Sequence, residues 1–432
     1  MADAAMAEAV VGAIKKTRRL KSKLAAATLS LFGAATAASA GEFEGWDIDT
    51  SILFYQESDN RVTAFEPVIN ARKEFAGDRF ANFKLVVDAL TGATPNGATP
   101  SDVPQTFTRP SGNGEYTIAP GETPLDDTFI DTRVALSGSW TQPLDRLTKA
   151  TVGANVSVEF DFKSIGLNGS VSRDFNQRNT TLTFGLAGEF DTIEPHGGVP
   201  TPFGVMAPAG TPQPRDGQSD SRTVIDAIAG VTQVVNRQTL MQLNYSLSQS
   251  SGYHTDPFKL ISRVDGGTGS TVDYVFENRP DNRMKHSLYW LTRYHLSRDI
   301  IGASYRFFTD DWGILSHTLD LTYRWKLMPK HFLEPHVRYY QQSEADFYRV
   351  GVTNGAPLPA EASADYRLAE FKAITVGFTY GWDFRDESSL LVRLEYYMQD
   401  GNSSHDTAIG LQKNQDLFPD LQATIIQIQY AF

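Results

Sequence analysis

The sequence predicts an all-β protein: a closed transmembrane antiparallel β-barrel of about sixteen strands, with long outer loops and short periplasmic turns. Three observations support this fold class. The chain begins with an export signal, it then repeats two-faced segments of about ten residues, and its last segment alternates large apolar side chains up to a final aromatic residue. Beyond the signal there is no run of about 18 apolar residues, so strands rather than helices are expected to cross the membrane.

The first 40 residues have the three parts of a secretory signal peptide. Six basic residues between Lys15 and Lys23 precede the apolar stretch LAAATLSLFGAATA, and the small residues Ala38-Ser39-Ala40 follow. Cleavage after Ala40 would leave residues 41–432 as a single barrel domain that begins at Gly41. Removal of the signal would change the formal net charge from −12 to about −16, which argues against a nucleic-acid partner.

The chain contains no cysteine. Disulfide bonds, a lipid-modified cysteine, thiolate zinc sites and haem attachment through C-x-x-C-H are therefore excluded. We expect the fold itself to anchor the protein, and we expect no cofactor.

The segments after the signal alternate apolar and polar residues over lengths that a soluble strand seldom reaches. In SHTLDLTYRWKLM, one face carries Leu319, Leu321, Tyr323, Trp325 and Leu327, and the other carries Thr318, Asp320, Thr322, Arg324 and Lys326. ATVGANVSVEF, TLMQLNYSLS and LLVRLEYYMQ repeat the pattern. Aromatic residues near the ends of several faces fit the girdles that meet lipid headgroups.

Sixteen such segments predict the strands. They are residues 44–56, 61–71, 80–90, 128–141, 149–161, 165–174, 180–191, 223–235, 238–249, 284–296, 300–310, 316–327, 332–342, 366–383, 388–399 and 420–432. An even number lets the sheet close with both termini on one side, where the short connections fall. The five long connections lie at the opposite end: 91–127, 192–222, 250–283, 343–365 and 400–419. The first two of these are rich in Pro, Gly, Thr and Ser, and we expect such long loops to be functional or disordered.

The final segment, ATIIQIQYAF, places Ile426, Ile428, Tyr430 and Phe432 on one face. We predict that this strand pairs with the first strand and closes the barrel, because lipid does not tolerate an unpaired edge. The segment resembles the C-terminal signal read by the barrel-assembly machinery, although Gln427 stands where that signal often has glycine. The expected partners are therefore this machinery and outer-membrane lipid.

Five longer phrases resemble an uncharacterised family of proteobacterial outer-membrane β-barrel proteins. They are VVDALTGATPNGATPSDVPQTFTRPSG, PGETPLDDTFIDTRVALSGSW, SGYHTDPFKLISRVD, YRFFTDDWGILSHT and RYYQQSEADFY. The resemblance covers essentially the whole mature chain and implies the outer membrane of a Gram-negative bacterium. Genes of that family often lie beside those of a thioredoxin-like protein, a small lipoprotein and a flavin transferase, which implies a role in an envelope redox or assembly module with a lipoprotein or periplasmic partner. It implies no reaction and no catalytic residues.

Charged residues on the polar faces of the later strands are predicted to line the lumen. They are Arg293, Arg306, Asp320, Arg324, Glu334, Arg338, Arg393 and Glu395, together with Lys285, Lys326 and His336. One interpretation is an electropositive constriction that concentrates anionic solutes. The other is a salt-bridged filling that stiffens the wall, because arginine can hold a neighbouring carboxylate as well as a passing anion.

We predict no catalytic residue. Two groupings contain the residue types that hydrolysis needs: His295 with Ser297, and Asp310 and Asp311 with His317. The first abuts a periplasmic turn, which is a poor place for an exposed active site. The second is better explained as an acidic rim turn with a capping aspartate.

We also predict no metal site. The weak candidates are Asp126, Asp127 and Asp131 in LDDTFID at the end of the longest loop, where carboxylates could hold calcium but lack the D-x-[DN]-x-[DN]-G spacing. The phrase SGYHTDPFK, with His254, Asp256 and Lys259, is interpreted as an ordered surface epitope or a lumen plug, since its Gly, Pro and Asp are turn formers.

Three functions remain open at this point. A porin-like channel for small anionic solutes is favoured by the basic lumen and by a circumference wide enough for water. A structural barrel that holds an envelope partner is the alternative, favoured by the gene neighbourhood that the resemblance implies. An outer-membrane hydrolase comes third, and we expect no enzyme.

Overall fold

The computed structural model describes residues 45–59, 61–109, 112, 114–384 and 388–432, without the side chains of residues 127–129. The predicted signal peptide and Gly41 lie outside these residues. Within the described part of the chain, no helix is both long enough and apolar enough to cross a membrane.

Sixteen antiparallel strands form a closed barrel, which confirms the predicted fold class. In chain order, β1 to β16 are Trp46–Glu57, Thr63–Phe75, Arg79–Pro95, Leu125–Pro143, Thr148–Val158, Phe162–Phe175, Thr180–Ile193, Asp220–Val234, Thr239–Gly252, Asn282–His295, Ile300–Asp310, Leu315–Met328, His331–Gln342, Phe371–Asp383, Ser389–Gly401 and Leu421–Ala431. Each strand pairs with its sequence neighbours, so every barrel connection is a simple hairpin or a loop between adjacent strands.

The last strand closes the barrel against the first, as predicted. Ile428 of β16 lies opposite Ile52 of β1, and Tyr430 lies opposite Thr50. The Phe432 N–H donates to the carbonyl of Ile48 at 3.0 Å, which extends the ladder to the periplasmic end. Closure leaves no strand edge in this sheet without a partner.

The outward face of the wall is apolar and exposed, the reverse of a soluble sheet. Leu321 of β12 is 48% exposed and Val337, its partner on β13, is 47% exposed. Rings gather at the periplasmic end, where the Tyr430 and Phe432 centroids lie 4.6 Å apart. Such a band of aliphatic side chains with an aromatic rim is the surface that a barrel presents to lipid.

The connections are strongly asymmetric. At the periplasmic end they span two to five residues, whereas five of the connections at the other end are long: 96–124, 194–219, 253–281, 343–370 and 402–420. Three short turns, 58–62, 159–161 and 311–314, complete that outer end. The five long loops and the turn 311–314 pack on one another, and we call them together the cap.

The cap contains most of the large buried apolar side chains among the described residues. Three clusters form it: Trp312, Ile314, Phe347, Tyr348, Leu368 and Phe418 with their neighbours; Ile261, Val275, Val352, Ala362 and Ala364; and Ala98, Phe107, Leu260 and Phe276. Small sheets join the loops, including a three-stranded one in which Leu260–Val264 lies between Thr271–Phe276 and Val352–Thr353. The expectation that 91–127 and 192–222 are without regular structure is therefore wrong in part, because Gln105–Thr108 pairs with Glu115–Ile118 and Val199–Pro200 with Arg215–Gly217.

Two of the strands whose starts differ from the prediction bear on the cap and on the candidate metal ligands. The strand predicted at 366–383 begins at Phe371, since Tyr366–Leu368 form a 3-10 turn whose start is capped by Asp365. The strand predicted at 128–141 begins at Leu125, so Asp126 and Asp131 belong to a strand rather than to a loop.

Candidate functional site in the barrel lumen

A cavity of about 710 Å³ occupies the lumen beside the inner wall of β10 to β15. Alternation along each strand turns the polar residues toward it. Seven of the eleven charged residues assigned to the lumen from sequence line this cavity: Arg293, Arg306, Asp320, Arg324, Glu334, Arg338 and Glu395. Of the other four, Lys285 lines a second cavity nearer the cap, and Arg393 shares the inward face of β15, with its Nε 3.9 Å from Glu395 Oε1.

Several of these arginines are held by carboxylates on the wall. Arg324 Nε donates to Glu334 Oε2 at 2.6 Å, and its guanidinium lies 4.2 Å from the centre of the Phe332 ring. Arg338 Nε donates to Asp320 Oδ1 at 2.8 Å. Both arginines remain about half exposed to the lumen. The salt-bridged interpretation therefore describes this part of the wall.

His336 links two carboxylates across three strands. Its Nε2 lies 2.9 Å from Asp320 Oδ1 and its Nδ1 lies 2.8 Å from Glu395 Oε1. Gly377 of β14 lies between His336 and Glu395 in register, and a Cβ there would approach Glu395 Cγ to 2.6 Å. The absence of a side chain at Gly377 thus lets His336 of β13 reach a residue of β15.

Two guanidiniums on the same wall have no carboxylate partner. Among the described residues, no ion pair or hydrogen bond joins Arg293 or Arg306 to an acidic side chain, and the Arg306 guanidinium lies 5.6 Å from the ring centre of Tyr289. Both side chains are exposed to the cavity. Because arginine stays charged at any accessible pH, the lower lumen carries positive charge that the wall does not neutralise.

Two further cavities follow toward the cap. One of about 390 Å³ shares Arg306, Thr318 and Tyr340 with the lower cavity and has Asp365, Arg367 and Leu368 of the cap in its lining. Another, of about 570 Å³, shares Arg279 and Arg283 with the middle one. The shared residues place the three cavities side by side along the lumen.

Sequence reasoning missed the ion pairs of the upper lumen. Arg222 of β8 donates to Asp191 of β7 at 2.7 Å, Arg133 pairs with Asp88 across β4 and β3, and Arg283 donates to Asp310 at 2.6 Å. The alternation of inward and outward residues that identified the other lumen charges also applies to these strands, and it would have located these ion pairs.

The underside of the cap carries a buried ionic cluster. Arg279 Nη2 donates to Asp365 Oδ2 at 2.8 Å, and Arg367 Nη2 donates to Asp256 Oδ2 at 2.6 Å. Arg279 Nε also lies 2.6 Å from Glu277 Oε1. Asp365 and Glu277 are fully buried. The five residues come from two different loops, 253–281 and 343–370, which the cluster ties together.

The cluster fixes the ionisation of its members. Burial alone would raise the pKa of Asp365, but the neighbouring cations, above all Arg367, outweigh it and hold that pKa far below its usual range. Burial raises the pKa of Glu277, which Arg279 only partly opposes.

The phrase SGYHTDPFK belongs to the cap interior, since Lys259 donates to the Pro95 carbonyl and His254 Nε2 lies 2.7 Å from Ser250 Oγ.

The candidate catalytic groups are not assembled. Asp310 Oδ1 accepts from the N–H groups of Trp312 and Ile314 at 3.1 and 2.9 Å, which is the role of a turn cap. His317 instead lies on the outward face, where its Nδ1 is 2.7 Å from the Tyr305 hydroxyl. His295 ends β10 at the periplasmic side, and Ser297 lies in the turn that follows.

One of the candidate calcium ligands meets two other carboxylates. Asp131 lies with Glu159 and Asp161 so that one oxygen of each falls within 4.8 Å of the others. Asp126 is not part of this group, and the side chain of Asp127 lies outside the described residues. Burial, with a further contribution from Asp131, raises the pKa of Glu159 to about 7.

The chain has little sequence identity to the solved outer-membrane structures to which it is similar. The chain is 7% identical to CdiB from Acinetobacter baumannii (TM-score 0.46, covering 90% of this chain and 60% of that one). It is 8% identical to the outer membrane protein opdK from Pseudomonas aeruginosa (TM-score 0.38, 90% and 98%) and 10% identical to the siderophore receptor PirA from Acinetobacter baumannii (TM-score 0.41, 87% and 57%). The chain spans about half the length of the siderophore receptors that it matches, 53% of the ferric enterobactin receptor and 57% of PirA.

No curated protein sequence matches the chain. One family does match, described as "Protein of unknown function (DUF3570)", and the match extends over residues 21–432. That span includes every strand of the barrel and every loop of the cap. The protein is therefore a member of the DUF3570 family.

Proposed function

We propose that this protein is a channel for small anionic solutes in the outer membrane of a Gram-negative bacterium. The observation that carries the proposal is the pair Arg293 and Arg306, two guanidiniums without acidic partners in a cavity of about 710 Å³. Fixed positive charge inside a low-dielectric wall concentrates counter-ions, and it does so most strongly where no neighbouring carboxylate neutralises it.

The distribution of side chains over the wall supports the membrane location. Leu321 and Val337 are exposed outward, whereas Arg324 and Arg338 on the same strands face the lumen. An arginine facing lipid at the midplane costs about 2–4 kcal/mol, so this orientation is the one that a bilayer would select.

We also propose that the protein is not an enzyme. The separation of His317 from the Asp310 turn, and the position of His295 and Ser297 at the periplasmic rim, support this proposal. Nucleophilic or water-activating chemistry needs a base within hydrogen-bond reach of the group that it activates.

The channel is tested by its ion selectivity. Purified protein in planar bilayers should give current steps, and the reversal potential in a KCl gradient should show preference for chloride. Replacing both Arg293→Glu and Arg306→Glu should reduce or reverse that preference, while Arg178→Glu in the periplasmic turn 176–179 should leave it nearly unchanged. A wild-type pore that prefers potassium, or a barrel without current, would overturn the proposal.

A structural barrel is the alternative, and the cap favours it. Eleven buried side chains form the largest apolar cluster of the cap, and its member Leu368 also lines the middle cavity. A packed core above the lumen is what a sealed barrel would need. In that case planar bilayers should show no current steps. An envelope lipoprotein or another periplasmic partner should then co-purify with the membrane-extracted protein.

A further inference from the structure

The two unpartnered arginines lie on neighbouring strands at a fixed separation. Arg293 of β10 is in register with Gly302 of β11, and Arg306 follows Gly302 by four residues on the same inward face. Four residues of strand and one strand spacing separate their Cα atoms by roughly 14 Å. The pair therefore marks two ends of a strip along the wall rather than a single point.

The accessible surface of the strip between the two arginines is mainly apolar. Leu291 of β10 and Ser304 of β11 face each other at its middle, and both line the cavity. Gly302 is buried, and the Thr322 hydroxyl lies over it, with Oγ1 2.4 Å from where a Cβ of Gly302 would stand. Ser304 is only 7% exposed, so the surface between the two guanidiniums is mainly that of Leu291.

The acidic residue at this level of the next strand, Asp320, is already engaged by other side chains. Asp320 of β12 is in register with Ser304, at the same level of the wall. It already accepts from Arg338 Nε at 2.8 Å and lies 2.9 Å from His336 Nε2, both on the side away from β10. Arg306 is further steadied by the Tyr289 ring, which supports a guanidinium without neutralising it.

We propose that this strip, bounded by Arg293 and Arg306, binds linear solutes with an anionic group at each end and an apolar middle, the chemical class of the aliphatic α,ω-dicarboxylates. Each carboxylate would meet one guanidinium, whose planar fork suits it, while the methylenes would lie along Leu291. The proposal deepens the channel function, on which it rests, by naming the class of solute.

The test is an equilibrium titration that does not require current. Detergent-solubilised protein is titrated calorimetrically with the dicarboxylate series from malonate to sebacate, and with monocarboxylates of matching length. Affinity should pass through a maximum at an intermediate length, and at that length the dicarboxylate should bind about tenfold or more tightly than the monocarboxylate, since a second charged hydrogen-bonded contact is worth at least that factor.

The two arginines should act as a pair. Arg293→Gln and Arg306→Gln should each lower the affinity for the best dicarboxylate about tenfold or more and remove the length optimum. Arg178→Gln in the periplasmic turn is the control for an altered net charge and should behave like the wild type. Heat-modifiable migration in gels verifies that each variant is a folded barrel before titration.

The outcomes separate this inference from the channel proposal. A flat length series, an absence of binding, or an optimum that survives Arg306→Gln would overturn the dicarboxylate site, whatever the bilayer shows. Conversely, a chloride-selective pore with such a flat series would leave the channel standing and remove only the solute class.

Discussion

The barrel wall and the cap place their apolar side chains in opposite ways. In the wall, apolar side chains such as Leu321 point outward and charged ones such as Arg324 point inward, where they are paired or exposed to a cavity. In the cap, Phe107 and Ile261 are fully buried, as in a soluble domain. One chain therefore contains an inside-out sheet and a conventional core, joined at the outer rim.

The difference shows that the two regions depend on different solvents. The wall is stabilised by its closed hydrogen-bond ladder and by lipid around its outer face, because water would not favour those exposed aliphatic side chains. The cap faces water and gains stability by withdrawing apolar surface from it. Changes that damage one region should therefore leave the other largely intact.

The largest effect is expected at the ionic cluster of the cap. Asp365→Asn removes the carboxylate that Arg279 and Arg367 share, and breaking such a buried pair typically costs about 3–5 kcal/mol. Limited proteolysis should then cut loops 253–281 and 343–370, while gel migration still reports a folded barrel. Asp102→Asn, at an exposed position of another cap loop, is the matched control, and equal protease sensitivity in the two variants would contradict the role given to the cluster.

An effect of similar size is expected in the apolar core of the cap. Phe107→Ala empties a fully buried site packed against Tyr274 and Tyr116, and such truncations typically cost about 3–5 kcal/mol. Phe184→Ala on β7, where the ring is 55% exposed outward, should cost much less in detergent. Hydrogen exchange of the loops compares the two variants. A larger loss of protection in Phe184→Ala would mean that the cap core does not hold the loops.

The wall should respond to charge according to the face on which it is placed. Leu321→Arg puts a guanidinium on the lipid side and should destabilise the barrel by about 2–4 kcal/mol near the midplane. Thr322→Arg, one residue further on, enters the lumen and should be tolerated. Urea unfolding in lipid vesicles measures both. Equal losses would show that the strand register in β12 differs from the one described.

The smallest effect is a pH dependence at the outer rim. Glu159 has its pKa raised to about 7 from an ordinary 4.5, so the folded state binds a proton that the unfolded chain releases. The associated stabilisation is fully present below about pH 4.5 and is lost as the pH rises through 7, about 1–2 kcal/mol once solvent screening is allowed for.

Thermal unfolding in detergent at constant salt checks this dependence. The melting temperature of the wild type should fall as the pH rises through this window, and Glu159→Gln should flatten the curve. The groups that face Glu159 are Asp131, Asp161 and Arg133, of which Arg133 also pairs with Asp88. A wild-type curve that rises over the same range would show that the carboxylate is not the titrating group.

The sequence by itself determined the wall. Alternation is a local property of an extended chain, so Leu321 and Arg324 reveal their faces without any knowledge of the neighbouring strands. The same rule placed the lumen charges of β10 to β15. The pairing of the last strand with the first followed from closure, because lipid does not tolerate an unpaired edge. A membrane reinforces this signal, because lipid selects one face of every strand in the same way.

Tertiary structure alone decided the cap and the detailed chemistry of the lumen. Phe107 meets Leu260 and Phe276 from a different loop, and the three have no periodic spacing that would predict their burial. The link from His336 to Glu395 depends on Gly377 standing opposite both, and Asp320 of β12 is engaged by His336 and Arg338 of β13 rather than by an arginine of β11. Such features follow from the register between strands and from contacts between distant segments, which a local pattern of side chains does not specify.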